Sequence, residues 1–102
     1  MVIKILDYVR QCYTQADGEV IAGAIAACLR RGEKVVISFA GVYGVPSSFI
    51  NAAFISLLDE FTFADIRAKV TFIHSTKQIN ELIKKRFDFE VNKRPRAEYC
   101  YA

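Results

Sequence analysis

A chain of 102 residues, 53% hydrophobic and 25% charged, holds material for one domain and one core and is far from the composition of a disordered region. Its formal net charge of +3, from 14 Lys and Arg against 11 Asp and Glu, falls well short of the charge density with which a dedicated nucleic-acid binder neutralises many phosphates. No apolar run reaches the roughly 18 residues of a membrane span and no secretory leader is recognisable at Met1–Asp7, so the expected setting is cytoplasmic, with no membrane partner.

Taken in chain order, Val2 to Leu6 is a short β-rich run, and the stretch to Gln15 mixes aromatic and β-branched residues, which predicts an amino-terminal strand or hairpin. Asp17-Gly18-Glu19 reads as a helix start with Asp17 as N-cap. The helix runs to Arg31, where two arginines in the last turn and Gly32 beyond them give the stop. Ile21, Ile25, Cys28 and Leu29 recur at helical spacing and form its buried stripe, while Gly23, Ala26 and Ala27 leave another side small and smooth, a side suited to a neighbour or to a second copy in a homodimer.

Lys34 to Phe39 is uniformly apolar and β-branched, which predicts a central strand covered on both faces. A glycine- and proline-punctuated loop from Gly41 to Pro46 follows, and Ser47 or Ser48 is placed to cap a second helix reaching Phe61, with Ile50, Phe54, Leu57, Leu58 and Phe61 on its buried face. Lys69 to His74 repeats the strand signal, Ser75 to Gln78 fits a capping box, and Ile79, Leu82, Ile83 and Phe87 supply the stripe of a third helix. Alternating strands and helices give an α/β fold: a small open mixed sheet, mostly parallel, with about three helices packed on it. Residues 1–91 form the domain, and 92–102 a polar carboxy-terminal tail.

Chemistry is sparse. Cys12, Cys28 and Cys100 are an odd number without CxxC spacing, which fits reduced thiols better than a disulfide framework or a zinc knuckle. The lone histidine, His74, cannot build a metal site by itself, and Gly41 and Gly44 are too few for a phosphate cradle, so neither metal nor cofactor is expected. Ser47 or Ser48 with His74 would be the only conceivable hydrolytic pair, but GxSxG is missing and no acid is placed to orient the imidazole; no enzyme activity is expected.

Two binding readings remain. In the first, a helical-wheel count puts Phe49 on the exposed side of the second helix with Ala52 and Ser56, so that Tyr43, Pro46, Ser47, Ser48, Phe49, Ala52, Ile55 and Ser56 form a protein-docking surface, with Phe49 and Ile55 as anchor. Ser47 and Ser48, at a helix start, are also phosphorylation candidates. In the second, Lys84, Lys85 and Arg86 with Lys93, Arg94 and Arg96 form a basic strip beside Tyr99 and Tyr101, suited to single-stranded nucleic acid. That surface fits a phage or mobile-element inhibitor that blocks a nucleic-acid-handling complex.

The run Val35-Val36-Ile37-Ser38-Phe39-Ala40-Gly41-Val42, then Pro46-Ser47-Ser48-Phe49 and an apolar helix, resembles the STAS-like domains of unknown function found in bacterial and phage proteins. That group is similar to the STAS domains of anti-sigma-factor antagonists. The resemblance spans roughly Gly18 to Phe87. It implies a compact regulatory domain whose serine-bearing loop and following helix dock a partner, commonly an ATP-binding kinase of the histidine-kinase-like type. By position Ser47 matches the serine phosphorylated in the antagonists, and Ser48 its neighbour. The chain departs from them at Pro46, where they carry an acid, at Phe49, where they carry glycine, and at Ser38, where they carry aspartate; its Ser-Phe pair is closer to the STAS-like group.

Overall fold

The computed structural model describes residues 1–10 and 12–93. Strand β1 (Val2–Lys4) passes directly into a short helix, α1 (Ile5–Tyr8), so the amino terminus is a strand and a helical turn instead of a hairpin. Helix α2 (Gln15–Arg30) is followed by β2 (Val35–Ser38), α3 (Ser47–Ala53), a 3-10 helix (Ile55–Asp59), α4 (Phe63–Lys69), β3 (Val70–Ile73) and α5 (Lys77–Lys93). The three strands lie in the order β1-β2-β3, all parallel, with Val36 opposite Val2 and Thr71.

Local chemistry fixes the element ends. Asp17 does not cap α2. Thr14 does, its hydroxyl accepting the Asp17 N–H at 3.1 Å while the Asp17 carboxylate accepts the Thr14 N–H at 3.3 Å. The reciprocal pair starts the helix earlier than a lone aspartate cap would. At the other end Gly32 takes φ 74°, and the Gly32 and Glu33 N–H groups donate to the carbonyls of Leu29 and Cys28, both at 3.0 Å, which closes a Schellman motif.

The second predicted helix is broken. Ser56 donates its hydroxyl to the Ala52 carbonyl at 2.7 Å, taking the acceptor that an α-helical Ser56 N–H would use, and the chain tightens into the 3-10 turn there. Helix α4 had no periodic signal. It is two turns long and begins at Thr62, whose hydroxyl accepts the Asp65 N–H at 3.1 Å. For α5 the cap is Thr76, accepting from the Ile79 N–H at 3.1 Å, and Ser75 instead bonds Asn80 Oδ1. The last helix reaches Lys93, past the expected domain end.

One face of the sheet is covered, not two. Ile3, Val35, Ile37, Phe39 and Val70 are buried under the helices, together with the stripes of α2, α3 and α5. The opposite face carries Val2, Lys4 and Thr71 exposed, Val36 and Ile73 half-buried and Ser38 buried. Strand order explains this. Parallel crossovers share one hand, so a sheet that grows steadily from β1 to β3 sends every crossover over the same face; covering both faces requires a reversal of direction.

Phe39, Phe49, Phe54 and Phe72 form an aromatic cluster in the core, with ring centroids 5.2 Å apart for Phe54 and Phe72 and 6.4 Å for Phe49 and Phe54, both nearly perpendicular. Helix α2 meets α3 at Gly18, on its buried stripe, and not through the side read as small, where Ala26 is buried, Ala27 half-buried and Gly23 exposed with open space around it.

Candidate functional site

Because β2 and β3 are parallel, the loops that leave their carboxyl ends share one rim. The ladder extends past the strands, with the Phe39 N–H donating to the Ile73 carbonyl at 3.0 Å. The chain then turns through Gly41 at φ 83°, and the Val42 N–H donates to the Phe39 carbonyl at 2.8 Å. Further along, Thr76 donates its hydroxyl to the Tyr43 carbonyl at 3.4 Å, so the residue that caps α5 also holds the 43–48 loop. Nothing in the linear sequence signals this link between residues 33 positions apart.

Tyr43, held by its carbonyl, is 80% exposed. Gly44, Pro46, Ser47 and Ser48 beside it are exposed as well. Neither serine caps α3. The N-cap is Pro46, whose carbonyl accepts the Phe49 N–H at 3.1 Å, and both serines stand in the first turn with their hydroxyls free of capping duty. Ser48 borders a groove of about 310 Å³ with Gln15, Asn51, Ala52 and Ser56.

Three of the predicted contact residues are not surface residues. Phe49 is 0% exposed and packs edge-on against Phe54, and Ala52 and Ile55 are buried. The wheel fails because α3 is covered on two sides, by α2, whose Gly18 lets the Phe49 and Ala52 turn approach closely, and by α5, whose Arg86 bonds Asn51. What is left exposed of the predicted surface is Tyr43, Pro46, Ser47, Ser48 and Ser56.

His74 lies on the same rim with its backbone in the left-handed region, φ 55°, an uncommon conformation for a residue with a Cβ. Its ring is not among the groove residues around Ser48, and among the described residues it makes no side-chain hydrogen bond, so no acid orients it there. No group of three or more His, Cys, Asp or Glu among the described residues is placed to hold a metal ion. No helix among them is long and apolar enough to cross a membrane.

The bidentate pair between Arg30 and Glu60, both contacts at 2.6 Å, lies at the far end of α2. Its hydrogen bonds, and then its charge attraction, hold the Glu60 carboxyl below the ordinary range. The basic strip is interrupted at Arg86. Its Nε donates to Asn51 Oδ1 at 2.7 Å, its Nη2 meets Glu90 Oε2 at 3.4 Å, and its guanidinium lies 5.2 Å from the Phe89 ring centre. Lys84 and Lys85 are exposed. Lys93 closes α5, and Arg94, Arg96, Tyr99, Cys100 and Tyr101 lie outside the described residues.

A family model described as a STAS-like domain of unknown function matches residues 17–80. Neither the curated proteins nor the solved structures gave a significant match.

Proposed function

Since the chain belongs to the STAS-like family of domains of unknown function, we propose that it is a non-enzymatic regulatory domain that docks a protein partner through the 43–48 loop and the first turn of α3. The observation that carries this reading is Tyr43: a large, amphipathic ring exposed on a loop whose backbone is tied to the cap of α5. Ordering such a ring against a partner costs little conformational entropy, and tyrosine is among the residues most often found as interface anchors. Pro46 stiffens the loop beside it, and Phe49 roots the following turn in the core.

The partner this reading favours is a protein regulator, and by family likeness a histidine-kinase-like ATPase. Phosphorylation of Ser47 or Ser48 would add a dianion to the edge of that surface and change its fit. The basic strip gains no support, because Arg86 is engaged by Asn51 and Glu90.

The test is site-specific crosslinking in the native host, with a photoreactive residue at position 43, 47 or 20. Val20 is exposed on α2 and serves as the off-site control. The expected result is one protein captured from positions 43 and 47 but not from 20, with capture lost when Pro46→Gly is added to the chain that carries the photoreactive residue at position 47. Capture from position 20 alone would sink the proposal, and a serine-reactive probe that labels Ser48 would sink its non-enzymatic half.

A further inference from the structure

Between α4, β3 and α5 lies a cavity of about 240 Å³ that opens to solvent and shares no residue with the 43–48 loop. Its walls are apolar and ring-rich: Phe63 and Phe87, with ring centres 5.4 Å apart, together with Ile66, Phe72 and Ile83. It exceeds the roughly 150 Å³ apolar hollow that holds a benzene molecule and falls short of the roughly 300–1,000 Å³ of drug-sized sites. One ring with a short chain is the size that fits.

The polar lining sets the charge. Arg67 and Lys84 both border the cavity, against one carboxylate, Asp88. Arg67 lies 5.7 Å from the Phe63 ring centre, and among the described residues neither cation has a carboxylate partner. Lys84 and Asp88 stand one helical turn apart on α5 and still do not pair, the i,i+4 ion pair of that helix being Arg86 with Glu90. Two cations with unused N–H donors beside a hollow of low polarity form a surplus that a single anion would neutralise.

We propose that this cavity binds a small carboxylate with an apolar, ring-bearing body, the ring packed against the paired rings of Phe63 and Phe87 and the carboxylate toward Arg67 and Lys84. This is independent of the docking surface proposed above. Hydrocinnamate is a suitable probe, and its neutral isostere hydrocinnamamide the control.

Titration of the full chain followed by methyl NMR should move the Ile66 and Ile83 signals saturably, with the amide bound about tenfold more weakly. Lys84→Gln and Arg67→Gln should each weaken hydrocinnamate several-fold. Asp88→Asn should tighten it, a sign that loss of structure would not produce. All three side chains are exposed, and circular dichroism checks that each variant folds. The proposal is overturned by equal binding of acid and amide, by shifts that map elsewhere, by weaker binding in Asp88→Asn, or by no saturation up to about 10 mM, tenfold weaker than millimolar binding.

Discussion

Gly18 and Ala52 meet where α2 packs on α3. A Cβ placed on Gly18 would lie 2.7 Å from the Ala52 Cβ, 2.7 Å from the Phe49 carbonyl oxygen and 3.0 Å from the Ala53 nitrogen. Two of those three atoms are backbone, so no rotamer change relieves the clash. Gly18→Ala is therefore expected to destabilise by about 1–3 kcal/mol in urea unfolding, although alanine is the better helix former. Gly23, with nothing within 4 Å of its Cβ position, is the control in the same helix. Gly23→Ala should stabilise by about 0.5–1 kcal/mol. Equal effects at the two positions would show that the helices do not approach as described.

Phe49→Ala is a core truncation and not a surface change. It removes a fully buried ring from the aromatic cluster and should cost about 3–5 kcal/mol. Tyr43→Ala, at a ring that is almost wholly in water, should change stability by less than about 0.5 kcal/mol. The two unfolding midpoints, compared directly, separate the residue that builds the loop from the residue that the loop presents.

The amino-terminal cap of α2 is reciprocal, so its two halves should not add. Thr14→Ala and Asp17→Ala are each expected to cost about 1 kcal/mol, and the double variant distinctly less than their sum, since either change alone already breaks the exchange of hydrogen bonds. A double-mutant cycle by chemical denaturation measures the coupling directly. Strict additivity would argue for a lone cap.

Cys12 sits at the start of that helix with its thiol buried and its pKa pushed up from 9.0 to about 11, first by burial and then by the charge of Asp17. The unfolded chain thus loses this proton more readily than the folded one. The favourable contribution is complete below pH 9 and declines as pH rises toward about 11, where the buried thiol also ionises. Cys12→Ala should flatten the fall in stability over that window, and alkylation of native Cys12 at neutral pH should be slow, as read by peptide mass mapping.

Legibility in the sequence varied with range. The stripe Ile21, Ile25, Cys28 and Leu29 was readable because its periodicity is local and repeated, and it is buried as read; the run Val35 to Phe39 was readable as a strand, but Val36 on its second face is only half-buried. The parallel pairing of β2 with β3 followed from the length of the crossover between them. Helix α4 escaped because two turns between Thr62 and Lys69 give too short a window for a period to stand out. The capping residues were displaced by a few positions at α2 and by one at α5, since several hydroxyls compete there and only geometry chooses among them.

The site was legible as a place and not as a surface. Sequence put Tyr43 to Ser48 on the rim with His74, but a helical wheel sees one buried direction, and α3 has two. Phe49 was read as exposed for that reason. The tie between Thr76 and Tyr43 and the left-handed backbone at His74 left no trace in composition or spacing.

By itself, then, the order of residues determined which segments bury an apolar stripe, where α2 stops, and that strands alternate with helices, because these depend on neighbours a few positions away. Only the tertiary structure decided that the sheet is covered on one face and that α3 lies between two partners. Both follow from the direction in which successive strands are added and from a close approach at a single glycine, relations between residues distant in the chain that no local pattern encodes.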